Sequence, residues 1–333
     1  MTTAESPAGH IDILAEGYGD FLPVDPDGFR AYVRENKNRA LEPRVMSAKD
    51  AVARFVTDGD YLTYECNYLM RGPNPLIHEL ILQEKKDLWI AGKFTYVDIA
   101  ILLGGGCVSR VDCGFFLSTP IVQRALQQGT LEVFEYSNVI MALRLQAGAM
   151  GVPFLPVRSF GGTHGFDRSG ARLISDPYTG QPVTIVPALN PDVALIHAHQ
   201  ADVYGNARIF GTGVADAESA LASKKVIVTA EEIVDTDRIR SNPGATTIPY
   251  YVVDAVVEAP FGSYPGTCPG YYASDPQAVI GIFGAVMGDQ VEKYIDQAIR
   301  PFESFEHMLQ ERVGVKKMLD MRRRETVREG YNA

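Results

Sequence analysis

The chain has 333 residues, a formal net charge of −10 and a hydrophobic content of 46%. This length suits one large or two small domains, and the apolar content is ample for a core without disulfide bonds. The negative charge argues against a nucleic-acid partner, because phosphate binding requires a basic surface that releases counterions.

The first 45 residues are interpreted as an N-terminal extension. This segment is rich in glycine, proline and charge, and only residues 29–33 show a helical pattern. A segment of this kind either folds over a partner or stays partly mobile.

Strand and helix signals alternate from Ser47 to about Asp254. This alternation predicts parallel strands that are joined by helical crossovers. Ser47 can cap a helix that runs through Val56, and residues 61–64 give the first strand. The predicted fold class is therefore α/β, with an open, mostly parallel sheet that has helices on both faces.

Later boundaries carry similar local signals. Thr119 is followed by a proline and is a suitable N-cap, and Ser137 begins a helix that ends at Gly151. The glycines at 104–106 indicate the end of another helix. Residues 153–157 are predicted to form the strand that follows the Ser137 helix.

The segment DVALIHAHQADVYGNARIFG, residues 192–211, joins an apolar run to a polar turn. The run is typical of a strand buried on both faces, and the turn around Asp202 leads into a return strand. His197 and His199 share one face and could suggest a metal site. Since the chain offers no clear set of further ligands, we expect no metal, and assign these histidines to holding the strand end.

Two acidic residues, Glu231 and Glu232, follow Thr229. Acidic residues at this position favour the first turn of a helix, so the sequence predicts a helix start here.

The chain ends in a basic segment with a helical pattern, within residues 281–333. Its basic residues extend to Arg328, and it carries an apolar stripe made of Val315, Met318, Leu319 and Met321. Such a stripe predicts docking onto the chain's own body or onto a partner.

Cysteine spacing and hydropathy indicate the cellular compartment of the protein. The four cysteines have no CxxC or other metal-ligand spacing, which favours free thiols in a reducing environment. The chain lacks a secretory signal pattern, and its longest apolar stretch is too short to span a bilayer. We therefore expect a cytoplasmic protein without membrane contact.

Three ordered blocks resemble a known family. They are residues 145–157, residues 192–206, and a pair of segments at 227–240 and 248–272. Together they are similar to the A (alpha) subunit of family I coenzyme A transferases, of the glutaconate CoA-transferase type. The similarity covers roughly residues 47–272, and the blocks occur in the same order.

The resemblance implies a CoA-transferase, NagB/RpiA-like three-layer α/β fold. It places a CoA-transferase-like domain at residues 46–280, after the extension at 1–45 and before the C-terminal segment at 281–333. It also implies a B-type partner subunit in a heterodimer or heterotetramer, with a coenzyme A thioester as substrate and no permanently bound cofactor. The nucleophilic glutamate is then expected in the B subunit.

The resemblance also indicates site residues. The turn after the first strand has Glu65, Cys66 and Asn67 where the family usually has Gly-Gly-Phe. Glu65 then either faces the acyl group or is a surface or subunit contact. Arg71 and Asn67 are expected to bind substrate. Glu135 lies where related A-type subunits carry an acidic residue that faces the reaction centre; its alternative role is to favour the start of the next helix.

A glycine loop after the strand at 153–157 is the remaining candidate. Gly161, Gly162 and Thr163 are expected to bring backbone N–H donors close to the substrate, and a flexible connection is the alternative. The predicted function is the A subunit of an enzyme that moves CoA between carboxylic acids. The alternatives are an acyl-CoA hydrolase or carbon–carbon (ring) cleaving hydrolase on the same scaffold, and a non-catalytic binding subunit.

Overall fold

The computed structural model describes residues 11–211 and 213–325. The strands of this part are β1 (Ile13–Glu16), β2 (Tyr61–Tyr64), β3 (Leu88–Gly92), β4 (Val108–Cys113), β5 (Glu132–Glu135), β6 (Phe154–Val157), β7 (Arg172–Ser175), β8 (Pro182–Pro187), β9 (Val193–Ala201), β10 (Ala207–Arg208), β11 (Lys225–Ile233) and β12 (Ala255–Glu258).

Thirteen α-helices lie in the same described residues. They are α1 (Pro26–Asn36), α2 (Ala48–Phe55), α3 (Asn74–Leu82), α4 (Asp98–Gly104), α5 (Pro120–Gln128), α6 (Asn138–Met150), α7 (His164–Asp167), α8 (Asp216–Ala222), α9 (Thr236–Arg240), α10 (Pro276–Met287), α11 (Val291–Ala298), α12 (Phe305–Met308) and α13 (Gly314–Glu325). A π-helical turn, Leu309–Val313, joins α12 to α13.

The main sheet is parallel and has the strand order β12-β11-β9-β2-β3-β4-β5, with β10 paired antiparallel to β9. Its core lies on both faces because neighbouring residues of each strand point to opposite sides. Leu62 belongs to a core cluster that includes residues of α2 to α5, α10 and α11, whereas Tyr61 belongs to a second cluster that includes residues of α6. The predicted α/β class is confirmed, and so is the return strand after the turn at Asp202.

Helix capping follows the local sequence. Ser47 accepts a hydrogen bond from the Asp50 N–H, and Ser137 accepts one from the Ile140 N–H. Gly151 ends α6 with a φ of 70°, a conformation that glycine adopts without strain. Thr119 precedes α5 as predicted, but its side chain makes no capping hydrogen bond.

One prediction about the sheet is wrong. The strand after α6 does not join the parallel sheet, because β6, β8, β7 and β1 form a separate antiparallel sheet. Strand β6 pairs antiparallel with β8, and β8 is joined to β7 by a short turn that closes with a hydrogen bond from the Asp176 N–H to the Gln181 carbonyl. A connection this short can join only antiparallel strands, since a parallel crossover needs about a dozen residues.

The described part of the N-terminal extension packs on the chain itself. Strand β1 pairs with β7, and the Lys37 ammonium lies 2.5 Å from a carboxylate oxygen of Asp254. The buried Arg44 guanidinium donates to the carbonyls of Tyr250 and Val253. Residues 1–10 lie outside the described residues.

The C-terminal helix α13 also docks on the body of the chain. Met321 is fully buried and Met318 packs partly into the same cluster around Phe261, whereas Val315 and Leu319 are exposed. Two of the four residues of the predicted apolar stripe therefore pack against the body of the chain. Arg328 lies outside the described residues. No helix among the residues described is both long enough and apolar enough to cross a bilayer.

Candidate functional site

A buried ion pair lies at the carboxyl edge of the main sheet. Glu65 follows β2 and Lys93 follows β3, and the Lys93 ammonium is 2.5 Å from the Glu65 Oε1. Ser219, on α8, donates its hydroxyl to the same oxygen. Glu65 is fully buried, so it is not a surface contact. Its second oxygen, Oε2, is also buried and has no hydrogen-bond donor among the described residues.

Arg71 forms a second buried ion pair beside the first. Its Nη2 lies 2.7 Å from the Asp216 carboxylate and 3.1 Å from the Cys66 sulfur, and its Nη1 donates to the His197 carbonyl at 2.9 Å. Burial, reinforced by the charge of Glu65, raises the pKa of Asp216 to about 6. The guanidinium is thus engaged by the chain's own groups, and it joins the turn after β2 to β9 and α8.

Asn67 shapes the same turn. Its backbone exchanges hydrogen bonds with Met70, and its side-chain oxygen accepts from the Leu69 N–H. Cys66 and Arg71 have φ values of 58° and 46°, which are strained for residues with a side chain. The turn that departs from the family pattern is therefore held in an uncommon backbone conformation by side-chain contacts.

A cavity of about 550 Å³ opens next to Asp216. Its walls come from the first two turns of α6, from residues 213–218 and from Thr247. Ala142, Leu143 and Val139 supply an apolar wall, and Asp216 supplies a carboxylate. This volume is typical of small-molecule sites, and the mixture of an apolar wall with few polar groups fits an acyl chain.

Glu135 and the glycine loop form a separate group at the edge strand β5. The half-exposed Glu135 carboxylate lies 3.0 Å from Arg168 Nε, and its backbone N–H donates to the Arg168 carbonyl. The ring of Phe160, at the start of the loop, lies 6.2 Å from the ring of Tyr136. Tyr136 follows Glu135 directly, so the structure brings the loop and Glu135 into one neighbourhood.

The two glycines of the loop differ. Gly162 has a φ of 76° and faces open space, so a substrate could approach its backbone. A Cβ at Gly161 would lie 2.7 Å from the Thr184 hydroxyl, so that glycine is needed for packing. Thr163 caps α7 by accepting from the Phe166 N–H. No hydrogen bond or ion pair between described residues joins this loop to Glu65.

The structure reveals a third group that the sequence prediction missed. Glu231 is not at a helix start; it lies in β11 and is buried. Its carboxylate accepts from His197 Nε2 at 2.8 Å, from the Tyr272 hydroxyl at 2.5 Å and from the backbone N–H groups of Phe261 and Gly262. The prediction failed because β11 extends beyond Thr229 to match the long strand β9, and only that pairing places His197 beside Thr229.

His197, Glu231 and Cys268 come close enough to suggest a metal site, with ligand atoms within 4.8 Å of one another. Both ring nitrogens of His197 are already used, however, because Nδ1 lies 2.7 Å from the Thr229 hydroxyl and Nε2 bonds Glu231. Hydrogen bonds therefore account for this cluster without an ion.

His199 is held as a neutral ring. Its Nε2 donates to the Pro269 carbonyl at 2.8 Å, and its Nδ1 accepts from the Phe210 N–H at 3.1 Å. Burial lowers the pKa of His199 to about 4. This agrees with the assigned role of the histidine, since the ring ties the end of β9 to the chain beyond the turn.

Replacing His199 with glutamine should weaken the pH dependence of stability. The unfolded histidine titrates near pH 6.5 and the folded ring near 4, about 2.5 pH units lower. The contribution of His199 to stability is therefore full above pH 6.5 and is lost as the pH falls towards 4. Urea unfolding between pH 7 and 4.5 should show a slope smaller by up to about 1.4 kcal/mol per pH unit in the variant. The exposed His164 gives a control variant, His164→Gln, which removes one histidine without removing a buried ring. Parallel slopes for wild type and His199→Gln would contradict this assignment.

Comparisons with known proteins agree with this architecture. A family model described as coenzyme A transferase matches residues 45–259. The A subunit of glutaconate CoA-transferase from Acidaminococcus fermentans is 33% identical over 255 residues, which cover 70% of this chain and 80% of that protein. The A subunit of 3-oxoadipate CoA-transferase from Pseudomonas knackmussii is 32% identical over 240 residues, covering 69% and 84%.

Comparison with solved structures indicates the same family. The crystal structure of glutaconate coenzyme A-transferase from A. fermentans matches with a TM-score of 0.79 at 28% identity, covering 86% of this chain and 96% of that chain. The resemblance inferred from the three sequence blocks is therefore confirmed. This chain belongs to the coenzyme A transferase family, as an A-type subunit of a family I transferase.

Proposed function

We propose that this chain is the A subunit of a heteromeric enzyme that moves CoA between carboxylic acids, and that a B-type partner supplies the nucleophile. A glutamate carboxylate of the partner attacks the acyl-CoA carbonyl, the C–S bond breaks, and an acyl-glutamyl anhydride forms with release of the CoA thiolate. The thiolate then attacks the glutamyl carbonyl and releases the first acid. The acceptor acid reverses these two steps.

The observation that carries this proposal is the state of three glutamates, Glu65, Glu135 and Glu231. Glu65 is fully buried against Lys93, and Glu231 is buried and accepts four hydrogen bonds. A nucleophilic carboxylate must reach a thioester carbon, and neither of these groups can do so. Glu135 is half-exposed but is paired with Arg168. The contacts of these three glutamates support a partner glutamate for the covalent steps.

This chain would contribute the acyl site and hydrogen-bond donors that stabilise the charge developing on the thioester oxygen. The cavity beside Asp216 offers an apolar wall for the acyl group. We propose that the loop at Gly161, Gly162 and Thr163 presents backbone donors where the thioester oxygen gains charge. We assign Arg71 and Asn67 to the acyl side of the site, where they hold the turn that carries Glu65.

The names of the relatives support a partner, since both are A subunits of CoA-transferases. We propose a hetero-oligomer of A- and B-type subunits that acts on an acyl-CoA in the cytoplasm. In this assembly residues 46–280 would form the CoA-transferase-like domain, flanked by the extension at 1–45 and the helical segment at 281–333.

Chemical trapping tests where the nucleophile lies. The chain should be co-purified with a B-type partner, incubated with an acyl-CoA and treated with hydroxylamine, and each protein should then be examined by mass spectrometry. We expect a hydroxamate on a glutamate of the B-type partner. A label confined to this chain, or full activity of this chain alone, would refute the proposal.

We propose that Glu135 faces the reaction centre and acts there as a base: it takes the proton from CoA that is present as the free thiol, which restores the attacking thiolate, and the proton then passes to solvent. Replacing Glu135 with glutamine should then lower kcat by about two orders of magnitude, the usual span of acid–base effects. Glu132 lies on the same strand and pairs with Arg110 at the surface. Glu132→Gln is therefore a matched control that should keep normal turnover. Equal activity of both variants would return Glu135 to a structural role.

A hydrolase on the same scaffold, cleaving an acyl-CoA thioester or a carbon–carbon bond, is the second candidate. It is favoured by the turn at Glu65, Cys66 and Asn67, which replaces the glycines expected near the substrate. In that reaction Glu135 would activate water. The two candidates differ in product. A transferase forms the acyl-CoA of the acceptor acid. A hydrolase needs no acceptor: thioester hydrolysis releases free CoA, whereas carbon–carbon cleavage alters the acyl group and leaves the thioester intact.

A further inference from the structure

A second cavity lies among the helices outside the parallel sheet. It measures about 320 Å³ and is bounded by α3, α10, α11 and the segment from α12 to α13. Tyr68, Tyr264 and Tyr294 contribute aromatic walls, and we call it the tyrosine cavity. Tyr264 and Tyr294 lie beyond residue 259, where the match to the family model ends. The cavity is therefore built largely by the C-terminal part of the chain.

The two charged groups on one side of the tyrosine cavity neutralise each other. Lys317 Nζ lies 2.8 Å from the Asp275 Oδ2, and the Tyr264 hydroxyl donates to the same oxygen at 3.0 Å. Burial opposes ionisation of Asp275, but the contacts from Lys317 and Tyr264 outweigh it and lower the pKa of this carboxyl. This side of the cavity consequently has no net charge.

His78 adds a neutral polar group at the inner wall. Its Nε2 lies 2.6 Å from the Tyr68 hydroxyl, and both side chains are buried. Burial lowers the pKa of His78 to about 3, so the ring carries no charge near neutral pH. His78 therefore contributes hydrogen-bonding capacity but no electrostatic attraction.

Arg312 is the remaining charged group that lines the cavity. Its Nη1 donates to the Gln297 carbonyl at 3.2 Å. Among residues 11–211 and 213–325, no carboxylate forms an ion pair with it. Counting the described residues, the tyrosine cavity therefore carries one net positive charge, beside aromatic rings and the apolar Met308.

We propose that the tyrosine cavity binds a small monocarboxylic acid, with its carboxylate on Arg312 and its body against the three tyrosine rings. One uncompensated guanidinium matches one carboxylate, and its planar fork suits that group. A phosphate dianion would require a second free cation, and Lys317 is occupied by Asp275. The volume lies at the lower limit of small-molecule sites and is far too small for the whole CoA molecule. This site is separate from the cavity beside Asp216, and its occupation does not depend on the proposed reaction.

Calorimetric titration of the full-length chain tests the charge requirement. The probes are benzoate, its neutral isostere benzamide, the aliphatic acid hexanoate, and inorganic phosphate. We expect saturable binding of benzoate or hexanoate at one site, and binding at least about tenfold weaker for benzamide and phosphate. The proposal is overturned if neither acid binds saturably, or if benzamide binds as tightly as benzoate.

Two variants locate the binding site. Arg312→Met removes the charge but keeps an apolar stem, and should weaken the acid at least about tenfold. Gly281 lines the cavity and has no atoms near its Cβ position, so Gly281→Leu should obstruct it. Gly284 lies one turn further along α10, is equally open, and does not line the cavity, so Gly284→Leu is a matched control. Binding that survives both Arg312→Met and Gly281→Leu places the acid elsewhere and refutes the assignment.

Discussion

Replacing Lys93 with methionine should lower the free energy of unfolding by about 3–5 kcal/mol, because it leaves the Glu65 carboxylate buried without its counter-charge. Lys93 and Glu65 are both almost completely buried, and their charged atoms lie 2.5 Å apart. Ser219 alone would then face the carboxylate. The unpartnered Oε2 of Glu65 makes the loss more severe, since no described group donates a hydrogen bond to it.

Urea unfolding at neutral pH measures this loss of stability. Two control variants test whether the loss comes from the unpaired buried charge. The double variant Glu65→Gln/Lys93→Met removes both charges and should recover most of the stability. Lys224 forms an ion pair with Asp192 near the surface, with 2.8 Å between the charged atoms. Lys224→Met should cost less than about 1 kcal/mol, because solvent screens that pair. If Lys93→Met cost no more than Lys224→Met, the buried pair would not have the role assigned to it.

Replacing Glu231 with glutamine should cost about 3 kcal/mol or more, because an amide cannot accept all the hydrogen bonds that this carboxylate receives. Its oxygens accept from the N–H groups of Phe261 and Gly262, the Tyr272 hydroxyl and His197. The NH₂ group of glutamine would point its own donors at some of these. The loop after β12 should therefore loosen together with the end of β9.

Hydrogen exchange and urea unfolding together test this prediction. Backbone amides at Phe261 and Gly262 should exchange faster in Glu231→Gln, in addition to the overall loss of stability. Glu232 is the neighbouring residue and its side chain is 44% exposed, so Glu232→Gln provides a control with an expected cost below about 1 kcal/mol. Unchanged exchange at these two amides would show that Glu231 does not hold the loop.

The local features of the fold were predictable because their causes are local. Ser47 and Ser137 cap helices through bonds to residues three positions ahead, and Gly151 ends α6 through its own backbone freedom. The boundaries of the first strand in the parallel sheet follow from its apolar run. The three ordered sequence blocks also identified the family. They could do so because the family resemblance lies in the order of residues along the chain, and recognising it requires no knowledge of tertiary contacts.

Glu231 marks the limit of local sequence patterns. An acidic pair after a threonine resembles a helix start, yet β11 continues because β9 beside it is equally long and offers hydrogen bonds. A period-two pattern of Thr229 and Glu231 facing His197 was the available signal. Its meaning depends on strand pairing, which the sequence does not state.

By itself the sequence determined the α/β class, the boundaries of α2 and α6, and membership of the transferase family. Only the tertiary structure decided which charges meet, since Lys93 lies 28 residues from Glu65 and Asp216 lies 145 residues from Arg71. Burying a carboxylate is unfavourable unless a cation lies next to it. The role that each candidate carboxylate can have therefore depends on the residue that pairs with it. Those partners are brought together by the packing of distant elements, and no local pattern encodes them.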